Sequence, residues 1–95
     1  MEKLENLVRR SIENILETKN SFDTHELIIK LAHENQREYI ALLYKKGGTK
    51  PFQALHSDIG RIIKSLIGEF GLSESESKSR DIFLHENTCS RWSRS

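Results

Sequence analysis

The sequence predicts a mainly α-helical domain that ends in a small β-hairpin, with three to four helices before the hairpin. Apolar residues recur at helical spacing through the first two-thirds of the chain, and glycine, proline and asparagine separate these segments. Near the C-terminus, two short apolar stretches flank a turn-like sequence. The length of 95 residues fits one domain over 1–95, because a second core would need roughly 100 residues more.

The composition excludes several classes of protein. A net charge of +1 is too small for a protein that coats nucleic acid nonspecifically, and one cysteine cannot form an internal disulfide. The longest apolar run is far shorter than the ~20 residues of a membrane span, and the chain starts at Met1 with a charged segment instead of a signal peptide. We expect a cytoplasmic protein with no membrane partner.

The first segment, 1–19, is predicted to form an N-terminal helix from Glu2 to about Lys19. One stripe of this helix is apolar and the outward face is charged, as in a helix that packs on a core. The stripe consists of Leu4, Leu7, Val8, Ser11, Ile12, Ile15 and Leu16.

The second segment, 23–67, is predicted to be a helical core that contains a helix-turn-helix. Asp23 and Glu26 have the spacing of a capping box, with Phe22 placed to contact Leu27 across the helix start.

A third helix is predicted from about Gln36 to Lys46. Asn35 and Glu38 repeat the capping pattern, the apolar side carries Tyr39, Ile40, Leu42 and Leu43, and Gly47-Gly48 ends the helix.

A fourth helix is predicted from Pro51, which suits a first helical position, to about Ile67, where Gly68 and Gly71 follow. Its buried side is predicted to consist of Phe52, Leu55, Ile59, Ile62, Ile63 and Leu66.

The last segment, 72–95, is predicted to be a ribbon and tail. Serines alternate with charged residues up to Arg80, which indicates either a solvated strand or a mobile connector. Two strands, 81–84 and 88–92, are predicted to flank a turn at 85–87. Two strands alone are marginally stable, so Ile82 or Phe83, Leu84 and Trp92 are expected to lean on the helices, with Trp92 as the anchor.

The tract from Arg37 to Leu66, two helices joined by Gly47-Gly48-Thr49-Lys50-Pro51, resembles the helix-turn-helix of bacterial winged-helix DNA-binding domains. The segment from Ile82 to Trp92 looks like the wing. The resemblance covers about two-thirds of the chain and rests on the order of elements and hydrophobic spacing. It implies that the fourth helix enters the major groove of double-stranded DNA and that the wing contacts the flanking backbone.

The residues on the predicted exposed face of the fourth helix can be compared with those that DNA contact requires. Opposite the apolar side, helical spacing places Gln53, Ala54, Ser57, Asp58, Arg61, Lys64 and Ser65. Gln53, Ser57 and Arg61 are candidate base contacts, because amides and guanidinium groups can bond adenine and guanine edges bidentately. Candidate phosphate contacts are Lys46, Lys50 and Lys64, with Arg91 and Arg94 adding positive charge at the end of the wing.

The charge distribution favours the same segment. Residues 37–64 contain six basic and two acidic side chains, a local charge of +4, whereas the rest of the chain sums to −3. The opposing interpretation is that charged residues on an exposed helix simply solvate it.

A second hypothesis remains open: a protein–protein interaction module of the same fold. Glu74, Glu76, Asp81 and Glu86 make the ribbon acidic, which would repel phosphate, and Asp58 lies on the reading face. The wing would then face away from DNA, and the first helix or the acidic ribbon would hold a protein partner or a second copy in a homodimer.

The sequence contains no strong catalytic or metal-binding motif. The four histidines lack chelating spacing, and Cys89 has only His85 as a candidate base. We expect Cys89 to be a core or strand residue and His56 to be partly buried and bonded to a backbone carbonyl. The prediction is therefore a non-enzyme without cofactor or metal that acts in transcription regulation or as a DNA-associated accessory factor.

Overall fold

The computed structural model describes residues 2–94, and over this range the chain forms four helices and a three-stranded antiparallel sheet. Met1 and Ser95, the ends of the predicted first and last segments, lie outside the described residues. The elements in chain order are α1 (Glu2–Leu16), β1 (Ser21–Asp23), α2 (Thr24–Glu34), α3 (Gln36–Lys46), α4 (Pro51–Phe70), β2 (Leu72–Arg80) and β3 (Glu86–Arg94).

Helix α1 contributes its whole predicted stripe to the core, since all seven residues are buried. The helix ends at Leu16, about three residues earlier than predicted. The carbonyl oxygen of Ile15 accepts the N–H groups of both Thr18 and Lys19, which closes the helix and turns the chain.

The predicted start of α2 is confirmed in detail. Asp23 is the N-cap, its carboxylate accepts the Glu26 N–H at 2.9 Å, and the Glu26 carboxylate accepts the Asp23 N–H at 3.1 Å. The structure adds strand β1, which ends at the cap residue Asp23 and which the sequence analysis missed. Three residues are too few to show a periodic pattern, so the strand is defined only by its pairing with β3.

Helix α3 has the predicted bounds, but its predicted cap is wrong. Asn35 makes no side-chain cap bond, and its Nδ2 instead donates to the carbonyl oxygen of Leu31 at the end of α2. The predicted apolar side is also too wide: Tyr39 is buried, whereas Ile40 is 63% exposed.

Helix α4 is longer than predicted, because it continues through Gly68 to Phe70. Gly71 takes the left-handed conformation, with φ 64°, and its N–H is bonded to the carbonyl oxygen of Ile67. An isolated glycine such as Gly68 lowers helix propensity but does not end a helix whose next turn packs on the core. Here the partly buried Phe70 provides that packing. At the other end, the predicted core residue Phe52 is 38% exposed.

The sheet has the order β1-β3-β2, and the serine-rich segment forms β2. The predicted placement of the turn is wrong. The link between β2 and β3 is 81–85, not 85–87, and 81–84 is not a strand. The Asp81 carboxylate causes the earlier turn. It accepts the N–H groups of Phe83 and His85 and so folds the chain back four residues before the predicted turn begins.

Trp92 is the anchor of the sheet, as predicted. It is 2% exposed, lies opposite Phe22 in β1, and its indole Nε1 donates to Thr24 Oγ1 at 3.1 Å. Ile82 is partly buried against the core, but Leu84 is 72% exposed, so the expectation that Leu84 leans on the helices is wrong. None of the described helices has the length and apolar character needed to cross a bilayer.

Candidate nucleic-acid interface

The exposed face of α4 agrees with the predicted reading face at every position except Asp58. Gln53, Ser57, Arg61 and Lys64 are exposed, as are Ala54 and Ser65. Asp58 is 5% exposed, because it lies at the border where α4 meets the end of α3. The expectation that its carboxylate lies on the reading face is therefore wrong.

The Asp58 carboxylate joins two of the predicted DNA-contacting cations. Lys46 binds Oδ2 and Arg61 binds Oδ1. The hydrogen bond from Lys46, with a further one from Arg61, holds the pKa of Asp58 below its ordinary value despite the opposing effect of burial. This cluster ties the end of α3 to α4 and leaves one net positive charge, while the Arg61 side chain remains 75% exposed.

Two predicted lysines flank this cluster along α4. Lys50, the N-cap residue, is exposed and makes no ion pair within residues 2–94. Lys64 is 68% exposed and lies 3.9 Å from a carboxylate oxygen of Glu74, a contact that contributes little at a solvated surface. Glu74 also accepts a hydrogen bond from Ser90 Oγ at 2.6 Å, so Glu74 and Asp81 are two of the four acidic ribbon residues that are engaged by their neighbours.

The structure separates the two predicted arginines of β3 from the start of α4. Arg91 pairs with Ser75 and Arg94 with Leu72, at the end of the hairpin opposite the turn 81–85. Arg91 lies 3.7 Å from Glu26, and the Arg94 N–H is bonded to the carbonyl oxygen of Asn20. The sequence pattern did not predict this position of the two arginines, because it placed the hairpin turn too late in the chain.

The hairpin turn, residues 81–85, lies beside the first turn of α4. The ring of Phe83 meets that of Phe52 edge to face, with 5.0 Å between centroids. A cavity of about 770 Å³ lies between the start of α4, the hairpin and α2, and its lining residues include Lys50, Gln53 and Ser57. The start of α4 and the hairpin turn thus lie next to each other and meet at the Phe52–Phe83 contact.

Three apolar residues of this surface were not predicted as functional. Phe52 was assigned to the core, and Phe83 and Leu84 to a strand, yet they are 38%, 50% and 72% exposed. The signal that could have located Phe83 and Leu84 is Asp81, since aspartate at the first position of a turn accepts the N–H two residues later.

His56 connects α3 to α4 beneath this surface. One ring nitrogen, Nε2, is 2.7 Å from the Tyr39 hydroxyl, so the predicted bond to a backbone carbonyl is replaced by a side-chain one. Burial lowers the pKa of His56; the charge of Asp81 opposes this effect and that of His25 adds to it. The imidazole is therefore held neutral between the two helices of the predicted helix-turn-helix.

The other three histidines and Cys89 do not form one cluster, although Ser79 lies between His25 and Cys89. His25 Nδ1 lies 2.8 Å from Ser79 Oγ, which in turn is 3.8 Å from Cys89 Sγ in β3, while His85 lies in the hairpin turn. Within residues 2–94 no three His, Cys, Asp or Glu side chains are grouped to hold a metal ion.

Comparison of this chain with family models, with curated proteins and with solved structures gives no match. A functional assignment therefore depends on the geometry described above.

Proposed function

We propose that this chain is a winged-helix protein that binds double-stranded DNA and acts in transcription regulation or as a DNA-associated accessory factor. In this proposal α3 and α4 are the helix-turn-helix, α4 enters the major groove, and the hairpin β2–β3 is the wing. The winged-helix class, like the function, is part of the proposal, whereas the four helices and the C-terminal hairpin are observed.

The observation that carries the proposal is the shared position of the α4 start and the hairpin turn. The wing of such a domain must reach the DNA on the same side as the reading helix. Here β2 begins directly after the end of α4 and runs back towards its start. The hairpin turn therefore places Phe83 in contact with Phe52, the residue that precedes Gln53. The order β1-β3-β2, with β1 between the first two helices, supports the same arrangement.

The contacts suggest different roles for the predicted residues. Gln53 and Ser57, in the first two turns of α4, suit base readout, and Lys50 and Lys64 suit phosphate contacts. Arg61 has one nitrogen engaged by Asp58 and offers its remaining donors to a base or phosphate. Arg91 and Arg94, at the far end of the hairpin, add to the general positive field instead of contacting DNA beside α4.

Salt-dependent binding tests this proposal through two lysines and one control. Lys50→Ala and Lys64→Ala should each weaken binding to a mixed-sequence duplex and reduce the slope of log K against log salt by about one. The matched control is Arg10→Ala, which removes the same charge from an exposed position on α1. Fluorescence anisotropy over 50–200 mM salt, roughly the range over which such contacts are resolved, provides the measurement.

Arg61→Ala should instead relax preference at one base pair, by about 1–3 kcal/mol. Equal slopes for Lys50→Ala, Lys64→Ala and Arg10→Ala would contradict a localised interface. Absence of binding at the lowest salt concentration would contradict the proposal as a whole.

A second candidate, a protein–protein interaction module, is favoured by one observation on α3. Ile40 and Tyr44, one helical turn apart, are 63% and 88% exposed. The route to a homodimer through the first helix is not available, because its apolar stripe is buried in the core. Light scattering on the wild-type chain and on Tyr44→Ser distinguishes the candidates: self-association that Tyr44→Ser abolishes, without DNA binding, supports the interaction module.

A further inference from the structure

The outer edge of strand β2 is open. In the order β1-β3-β2, β2 pairs with β3 on one side, and no backbone group within residues 2–94 pairs with its other side. The opposite edge of the sheet is covered by β1 and by the start of α2, where the Thr24 hydroxyl donates to the Ser90 carbonyl oxygen. An open edge offers N–H and C=O groups to which a second strand can add.

Strand β2 lacks most of the features that prevent such pairing. Short length, proline, bulges and covering elements are the common protections of an edge strand. This strand is nine residues long, contains no proline, and keeps an unbroken register with β3 from Leu72 to Arg80. Residues 73–76 are all exposed. Charged side chains are the remaining protection, and in β2 they occur in both signs.

The hydrogen-bonding pattern of the hairpin shows which residues face the open edge. The Asp81 N–H donates to the His85 carbonyl oxygen, so these two residues form a hydrogen-bonded pair. Because such pairs alternate along an antiparallel ladder, the serines of β2 direct their N–H and C=O groups towards β3. The residues between the serines direct theirs outwards, and these are Glu74, Glu76, Lys78 and Arg80.

The four outward residues are arranged symmetrically about Ser77. The two glutamates precede this serine and the two basic residues follow it, at equal distances. If two copies of β2 pair antiparallel with Ser77 at the centre, Glu76 faces Lys78 and Glu74 faces Arg80, and each pair occurs twice. Opposite charges directly across two strands stabilise a sheet, whereas like charges destabilise it.

Other registers lose this complementarity. Moving the centre by one residue, to Glu76 or Lys78, sets that residue opposite its own copy. Moving it by two residues sets the two glutamates, or the two basic residues, opposite each other. Parallel pairing in register sets every charge opposite its own copy. The order of charges therefore favours one partner in one register, a second copy of the chain centred on Ser77.

We propose that the chain forms a homodimer through antiparallel pairing of β2 with β2 of a second copy, centred on Ser77. The pairing joins two three-stranded sheets into one and adds about eight backbone hydrogen bonds, two for each pair of outward residues. Because one strand per copy is buried, the association belongs with weak interfaces, below about 1,200 Å². The dimer does not require DNA, so it is independent of the proposed function.

The central pair, Glu76 and Lys78, allows a sharp test. Neither residue has an ion pair or side-chain hydrogen bond within residues 2–94, and they lie opposite Ser90 and Thr88 in the hairpin, so reversal of either charge leaves the fold intact. Sedimentation equilibrium without DNA, from about 10 µM to 1 mM, should show the wild-type mass rising from one chain to two.

Charge reversal should break the dimer and mixing should restore it. Glu76→Lys and Lys78→Glu each set like charges opposite at two positions and should weaken self-association by at least about tenfold. An equimolar mixture of the two variants sets opposite charges together at every position and should associate as strongly as the wild type. Glu17→Lys, which reverses a charge at an exposed position beyond the end of α1, should leave self-association unchanged.

Amide hydrogen exchange locates the contact within the strand. The N–H groups of Glu76 and Lys78 should exchange more slowly as the concentration rises, whereas that of Ser77, bonded to β3, should be slow throughout. A wild-type chain that keeps the mass of one copy at 1 mM (about the upper limit of weak association) overturns the proposal. A variant mixture no stronger than its components also overturns it, as does equal weakening by Glu17→Lys or a dimer that Tyr44→Ser abolishes.

Discussion

The two ends of the hairpin β2–β3 differ in the exposure of their large apolar residues. At the base, Trp92 and Phe22 face each other across paired strands and are 2% and 0% exposed. At the turn, Phe83 and Leu84 are half or more exposed, although the backbone there is hydrogen-bonded to the Asp81 carboxylate. The same ribbon thus stabilises the fold at one end and presents an apolar surface at the other, which separates residues that maintain the fold from those available for binding.

The largest expected effect comes from removing one aromatic side chain from each end. Trp92→Ala should destabilise the fold by about 3–5 kcal/mol, because it empties a buried site and leaves Thr24 Oγ1 without its indole donor. Phe83→Ala should lower the free energy of unfolding by less than about 1 kcal/mol, since half of its surface is already in water. Urea unfolding followed by circular dichroism measures both, and similar losses would contradict the contrast between the two ends.

A smaller effect is expected at the helix starts, where one predicted cap is present and the other is not. Asp23→Ala should cost about 1–2 kcal/mol, because it removes the acceptor of the Glu26 N–H. The carboxylate also accepts from Ser77 Oγ at 3.2 Å, which links the cap to β2.

Asn35→Ala is the matched control for the cap. It removes a single bond to the Leu31 carbonyl oxygen and should cost about 0.5–1 kcal/mol. The same urea titration compares the two variants, and a greater loss for Asn35→Ala would show that the capping box is not what fixes the start of α2.

Features that depend on residues close together in the sequence could be predicted, and features that depend on distant residues could not. The four helices and the Asp23 cap could be predicted, because helical periodicity and capping depend on residues within a few positions of one another. Strand β1 could not, because three residues carry no period and become a strand only by pairing with β3, about 70 residues later in the sequence.

The hairpin shows the same limit in a different form. Its apolar run, residues 82–84, favours a strand by composition, but the side chain of Asp81 turns the chain there and transfers the strand to the serine-rich segment before it. The error moved Arg91 and Arg94 toward the proposed site and removed Phe83 and Leu84 from it. The exposed residues of α4 needed only helical spacing, so Gln53, Ser57, Arg61 and Lys64 were predicted correctly as exposed.

The smallest expected effect concerns acid sensitivity at His56, beneath the turn. Burial lowers its pKa below the ordinary 6.5, and the nearby Asp81 carboxylate opposes this effect. Below about pH 6.5 the unfolded chain therefore binds a proton that the folded chain resists, so stability should fall as the pH decreases toward the folded pKa.

His56→Gln keeps a polar partner for the Tyr39 hydroxyl and should flatten this part of the pH dependence. Urea unfolding of both chains at several pH values between 7.5 and 5.5 (about one unit either side of the ordinary pKa) measures the difference, in which the other three histidines cancel. An unchanged slope in His56→Gln would assign the acid sensitivity to another residue.

The most direct test of the central claim, that the start of α4 and the hairpin turn form one DNA-binding surface, is a ¹⁵N NMR titration of the chain with duplex DNA. The account predicts that chemical-shift changes concentrate in residues 50–64 and 81–85. It predicts little change in α1 or at Arg91 and Arg94. Changes confined to α3 around Ile40 and Tyr44, or to the base of the hairpin, would contradict it, as would an unchanged spectrum at low salt.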